Sequence, residues 1–149
     1  MNLSKDDLIS SFVNNARSYQ EQGLYQQTLS CYIQCLEFAK NRWGEEHPTV
    51  VTSLNNLATF YHSQGINGPA EYFYFKALEL TRKLWGEHLN VAISLNKLAY
   101  FYRSQGRYSE VEPLYIEALA IRRKLLATEH SEVVISLNKL AYFYCSQGK

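Results

Sequence analysis

The sequence predicts an all-α fold, a solenoid of stacked helix pairs, and three observations carry that prediction. A phrase is written three times: SLNNLATFYHSQG at 53–65, SLNKLAYFYRSQG at 94–106 and SLNKLAYFYCSQG at 136–148, the last two differing only at Arg103 and Cys145. Its apolar residues recur at helical spacing, with Leu54, Leu57, Ala58 and Tyr61 at i, i+3, i+4 and i+7, and Leu95, Leu98, Ala99 and Tyr102 repeating them. Of the 149 residues 46% are hydrophobic and 12 are tyrosine, while seven glycines and three prolines are too few for strands joined by many tight turns. The closing glycines, Gly65, Gly106 and Gly148, lie 41 and 42 residues apart and set the repeat.

The elements follow in order. Residues 4–22 read as a divergent first helix, capped by Ser4 with Asp6 and Asp7 in its positive first turn. Asn15 stands there in place of the Leu57, Leu98 and Leu140 of later units, so this helix is expected to pack loosely or to act as a cap. Between phrases lies a second helix, beginning at Leu24, Ile66 and Arg107 in successive units. In the third copy Val111, Leu114, Tyr115, Ala118 and Leu125 form its apolar stripe, and Ser109 and Glu112 have the spacing of a capping box. Gly23, Gly65, Gly106 and Gly148 sit where a left-handed residue ends the first helix of each pair. Pro48, Pro69 and Pro113 fall at or near helix starts, Pro113 deeper than the ideal first position. Asn67-Gly68-Pro69 replaces the Tyr108-Ser109-Glu110 of the third unit and predicts an altered corner.

About seven helices result, in a single array over 1–149 with units of about 4–46, 47–87, 88–129 and a half unit 130–149. Helices of about 17 residues are marginal alone, so each must bury its stripe on its neighbours. In the half unit Leu137, Leu140 and Tyr144 are expected to be only partly covered.

Fifteen basic and fourteen acidic side chains leave a net charge of +1, which gives no global attraction to nucleic acid or to anionic membranes. The opening MNLSKDDLISSF lacks the basic and apolar segments of a leader, and no run approaches the roughly 18 apolar residues of a membrane span. Three cysteines form no framework and fit a reducing compartment, so a cytoplasmic protein is expected. His47, His88 and His130 recur ahead of the first helices but about 10 Å apart, too far to share one zinc, and read as structural loop residues. Cys31 and Cys35 lie one turn apart without a convincing third ligand, so no metal site is assigned. Arg122, Arg123 and Lys124 read as a solvated, dipole-complementing helix end. Neither a nucleophile with its base nor a phosphate-binding loop is present, and neither enzyme activity nor a cofactor is expected.

These residues resemble the tetratricopeptide repeat, in which a small residue of the first helix packs on an aromatic of the second. Ala58, Ala99 and Ala141 match the small site, Tyr61, Tyr102 and Tyr144 the aromatic that follows it, and Tyr32, Tyr74 and Tyr115 the second-helix aromatic. Cys35, Ala77 and Ala118 take the later small site. The common unit has 34 residues; the longer one here, with SLNNLA, a Gln-Gly corner and GEEHP, is similar to the repeats of kinesin light chain and of related prokaryotic arrays.

The resemblance implies a right-handed superhelix whose concave groove is lined by first helices. It places in that groove Val13, Asn14, Arg17 and Gln20, then Thr52, Asn55, Asn56, Thr59 and His62, then Ile93, Asn96, Lys97, Tyr100 and Arg103, then Ile135, Asn138, Lys139, Tyr142 and Cys145. Spacings of three and four put each set on one stripe. Asn55, Asn96 and Asn138 carry donors and acceptors suited to a peptide backbone, and Arg17, Lys97, Arg103 and Lys139 add positive charge beside Tyr100 and Tyr142. The implied function is a protein-interaction module binding an acidic peptide or partner segment with an apolar or aromatic anchor. Two alternatives stand beside it: the amides tie repeats together, or copies stack end to end through the uncovered last helix. The family's clamp for a C-terminal carboxylate wants Lys at Val13, Asn at Arg17 and Lys at Ile93, and only Asn56 and Lys97 comply, so that clamp is rejected.

Overall fold

The computed structural model describes residues 4–149, which are all-α: α1 (Lys5–Glu21), α2 (Tyr25–Trp43), α3 (Pro48–Ser63), α4 (Asn67–Trp85), α5 (Leu89–Ser104), α6 (Tyr108–Leu125) and α7 (Ser131–Ser146). Residues 1–3, on which the expectation of no leader partly rests, lie outside the described residues. Two compact units can be distinguished, one reaching to Ala77 and one starting at Leu78, with the division inside α4.

In the first unit α1 packs on α2 and α2 on α3. Ala16, Tyr32, Leu57 and Phe60 are buried together, with Tyr25 and Tyr32 5.1 and 5.8 Å from Phe60 between ring centroids and Tyr61 stacked on Phe73 at 5.8 Å. Among the α1 residues whose burial is described only Ala16 is buried, and Asn15 is exposed, in keeping with a loosely packed first helix. The second unit packs α6 against α5 and α7 around Ala99, Val111, Tyr115 and Phe143. Full burial of one such side chain stabilises by about 1.5–3 kcal/mol. The repeat's small-against-aromatic scheme is present: Ala58, Ala99, Ala77, Ala118 and Cys35 are buried, as are Tyr32, Tyr74 and Tyr115. Ala141, which matches the small site in sequence, is exposed.

Each first helix ends in the same way. Gly23, Gly65, Gly106 and Gly148 have φ of +71°, +70°, +71° and +69°. The following amide reaches back to a tyrosine carbonyl, Leu24 to Tyr19 at 2.9 Å, Ile66 to Tyr61 at 2.9 Å, Arg107 to Tyr102 at 3.0 Å and Lys149 to Tyr144 at 3.1 Å. The glycine amide bonds three residues back, as Gly106 does to Arg103 at 3.1 Å. These are Schellman ends, which satisfy carbonyls that the helix leaves open. Asn67-Gly68-Pro69 does not alter its corner, contrary to expectation. The Gly65 and Ile66 bonds already close the turn before Asn67, and α4 starts at the same offset from its glycine as α2 and α6 do.

Helix starts divide into agreement and correction. Ser4 caps α1 reciprocally with Asp7, which holds the Asp7 carboxyl below its ordinary range. Pro48 is the first residue of α3. The expected Ser109–Glu112 box on α6 is absent: the helix already begins at Tyr108, its cap is Arg107 without a side-chain bond, and Glu112 instead accepts from the Tyr144 hydroxyl at 2.7 Å. The three recurrent histidines prove to be the caps of α3, α5 and α7. Each Nδ1 accepts from the amide two residues on, Thr49 at 3.2 Å, Asn90 at 3.1 Å and Glu132 at 3.2 Å. His47 also stacks on Trp43 at 5.0 Å.

Candidate functional site

In the second unit the residues named from sequence lie on α5 and α7. Tyr100 and Tyr142 are 58% and 62% exposed and offer large aromatic surfaces to solvent. The Arg103 guanidinium lies over the Tyr142 ring, 5.2 Å from its centroid, which joins α5 to α7 by a cation–π contact. Ile93 and Ile135, one turn before the lysines, are exposed as well.

Lys97 and Lys139 reach solvent, yet both ammonium groups sit below the ordinary lysine range. Partial desolvation is the cause at Lys97. At Lys139 desolvation leads, Arg122 adds to it and Glu132 partly offsets it. A cation partly surrounded by protein in this way has lost some of its hydration.

The asparagines do not behave as one ladder. Asn96 is buried, and in the amide orientation that satisfies both groups its Oδ1 accepts from Arg122 Nη1 at 2.9 Å and Nη2 at 3.1 Å. Asn96 therefore ties α5 to α6. Asn138, its counterpart on α7, is exposed.

Arg122 itself corrects the expectation of a solvated basic run. It is only 3% exposed, donates from Nη1 to Ser136 Oγ at 2.8 Å and pairs through Nε with Glu132 Oε2 at 3.3 Å. Three consecutive helical residues fan out by about 100° each, so they cannot share a face. Arg123 and Lys124 remain exposed, and Lys124 pairs with Glu87. The sequence held a signal for this: the repeat aligns Arg122 with Ala39 and Thr81, both fully buried.

In the first unit Arg17 is exposed on α1. On α3 Asn56 is half-buried, Thr59 is exposed with its hydroxyl 3.3 Å from the Tyr74 hydroxyl, and His62 stands edge-on to the Tyr74 ring at 6.2 Å. Burial lowers the His62 pKa, which keeps that ring neutral at pH 7. Asn55 is buried and donates to the Val51 carbonyl at 3.1 Å, while its Oδ1 has no partner among the described residues. Burial raises the thiol pKa of Cys31 and of Cys35, and the Cys35 sulfur lies 3.5 Å from Ser53 Oγ. Among the described residues no three metal-ligating side chains cluster, and no helix is long and apolar enough to cross a membrane.

Sequence profiles of the tetratricopeptide repeat match residues 7–83 and residues 91–132. No curated protein sequence matches. Among solved structures the chain is similar to BtubC (BKLC) from P. vanneervenii, with 26% identity and a TM-score of 0.80 over 99% of this chain and 59% of that one. It is also similar to Podosopora anserina structures described as a putative kinesin light chain with nearly identical TPR-like repeats. One matches at 26% identity and TM-score 0.76 over 99% of this chain and 70% of that one. A single-residue variant of that protein matches at 27% identity and TM-score 0.75 over 94% of this chain and 66% of that one. The chain thus spans less than two thirds of the length of BtubC.

Proposed function

Given that this chain belongs to the tetratricopeptide repeat family, and so to a class of protein-interaction modules, we propose that it binds an acidic partner segment with an aromatic or apolar anchor. The first-helix faces are the binding surface. One observation carries the reading: in the second unit two exposed tyrosines stand beside cations that have lost part of their hydration. An acidic side chain between Lys97 and Lys139 makes charge-assisted hydrogen bonds, each contributing about 1.5–3 kcal/mol. The Tyr100 and Tyr142 rings take the anchor, with Arg103 holding Tyr142 in place.

Asn138 is the amide open to a ligand backbone in this unit, because Asn96 is engaged by Arg122. In the first unit Arg17, Asn56, Thr59 and His62 offer a polar surface whose single formal charge at pH 7 is Arg17. Function is by binding, without a cofactor, in a reducing compartment where Cys31, Cys35 and Cys145 remain thiols.

The test is titration of a fluorescent Glu- and Trp-containing peptide against the wild type and Lys97→Glu/Lys139→Glu. Affinity should fall by two orders of magnitude, and a lysine-for-glutamate peptide should reverse the preference. Equal affinities of both proteins for the acidic peptide would remove the reading.

A further inference from the structure

We infer that Arg122, a side chain almost wholly withdrawn from solvent, is the positioning residue of the binding face in the second unit. Its guanidinium holds α5 and α7 at the spacing that lets Lys97 and Lys139 engage one acidic side chain. The inference rests on the acidic-segment reading above and names what sets the geometry of that site.

The repeat supplies the comparison. Position 122 corresponds to Ala39 and Thr81, which fill the same buried place without a charge, so stacking of the helices does not require an arginine there. The Thr81 hydroxyl lies 3.2 Å from Ser94 Oγ, and Arg122 makes the same contact one repeat later, from Nη1 to Ser136 Oγ at 2.8 Å. The difference is reach. From Ser136 the guanidinium extends to Asn96 Oδ1, which accepts from Nη1 at 2.9 Å and Nη2 at 3.1 Å, while Nε faces Glu132 Oε2 at 3.3 Å. One planar group thus grips α5 and α7 together. A buried cation is costly to desolvate, and apolar side chains often fill such a place with equal stability. What the rigid fork adds is a fixed geometry.

The gripped residues adjoin the binding residues. Asn96 precedes Lys97 on α5, and Ser136 lies about one turn before Lys139 on α7. Ser136 is itself fixed, because its hydroxyl donates to the Glu132 carbonyl at 3.0 Å. Seven residues on from Asn96, along the same side of α5, Arg103 lies over the Tyr142 ring. The two helices are therefore joined twice, at a buried point and at an exposed one. Lys97 and Tyr100 fall between the joints on α5, and Lys139 falls between them on α7. Arg122 is also close enough to Lys139 for its charge to help lower that ammonium.

The experiment reads geometry and binding separately in the whole chain. In the free protein the Tyr142 ring should move the Arg103 side-chain NMR signals upfield, with Tyr142→Leu giving their unshifted position. Arg122→Met and Arg122→Lys are compared at a temperature where circular dichroism shows native helix content. Both should return the Arg103 signals towards the unshifted position, and both should bind the Glu- and Trp-containing peptide about tenfold more weakly than wild type. Arg122→Lys keeps the charge without the fork, so its failure to restore affinity separates positioning from charge. Should these variants unfold, Asn96→Ala removes the α5 end of the joint while Arg122 keeps Glu132, and the same two losses are expected. Arg103 signals that stay in place in a folded variant, or wild-type affinity in Arg122→Met or Arg122→Lys, overturn the inference. A wild type that ignores the peptide removes the binding reading instead, and the Arg103 signals still decide whether Arg122 holds α5 to α7.

Discussion

A single residue, Lys97, lets the proposed binding surface be tested against the stability of the free chain. Its ammonium is charged but incompletely hydrated, so Lys97→Met should raise the unfolding midpoint of the free protein slightly while cutting affinity for an acidic peptide about tenfold. Denaturant titration and binding isotherms on the same preparation read both. A residue that only solvates its helix would move neither. His88 makes the opposite kind of contribution, because its Nδ1 takes up an amide that α5 otherwise leaves open. His88→Ala should cost about 1 kcal/mol in urea unfolding, with His88→Asn restoring most of it. Lys97 and Tyr100 were legible as outward residues because they differ among the repeated phrases while the packing positions do not. His88 was not legible as a cap, since Ser, Thr, Asp and Asn supply that acceptor far more often and histidine announces itself as a ligand or a base.

At the scale of the element, helix ends and joints divide between what local pattern reveals and what only packing reveals. The Schellman corners were readable from glycine spacing, and they carry a sharp expectation. Gly106 has φ of +71° and no heavy atom lies within 4 Å of where a Cβ would stand. Gly106→Ala therefore meets no clash, and its cost is backbone strain alone, about 1–2 kcal/mol by chemical denaturation, with Gly106→Asn milder. The joint between α6 and α7 was not readable. Arg122 lies in what looks like a basic run, and its partners Glu132, Ser136 and Asn96 are 10, 14 and 26 positions away in sequence. Buried groups left without a partner are costly, so Arg122→Ala should destabilise by about 3–5 kcal/mol. Equilibrium unfolding followed by the fluorescence of Trp85 checks it. Capping of α6 failed in prediction for a related reason: the Ser109–Glu112 spacing is a local signal, and Glu112 answers to Tyr144, 32 residues on.

For the whole molecule, a net charge of +1 gives no strong electrostatic preference, so the pH dependence of stability comes from individual groups whose environment changes on folding. On the acid side these act together. His62 is held by burial below its ordinary 6.5, so below that value the unfolded chain takes up a proton that the folded chain resists, and stability falls as pH drops through the lowered value. Glu110, lowered chiefly by its bond from Arg107, and Asp7, lowered by Ser4, have the same sign at lower pH, their contributions being present above 4.5 and 3.8 and lost as they protonate. On the alkaline side the groups oppose one another. Lys97 and Lys139, lowered in the folded chain, favour folding as pH rises towards 10.5, while Cys31 and Cys35, raised by burial, favour unfolding once the unfolded thiols ionise near 9.0, and Tyr32 and Tyr61, raised by burial, and Tyr144, raised by its bond to Glu112, do so once the unfolded chain's tyrosines ionise near 10.0. The stability profile should therefore descend steadily from pH 7 towards 3 and be comparatively flat from 8 to about 10. His62→Gln isolates one step of it: the variant should lose the decline beginning at 6.5 and keep the later one from the carboxylates. Urea midpoints at half-unit pH intervals measure this, and a His62→Gln profile parallel to wild type between about pH 7 and 5 would show that His62 titrates alike in the folded and unfolded chains.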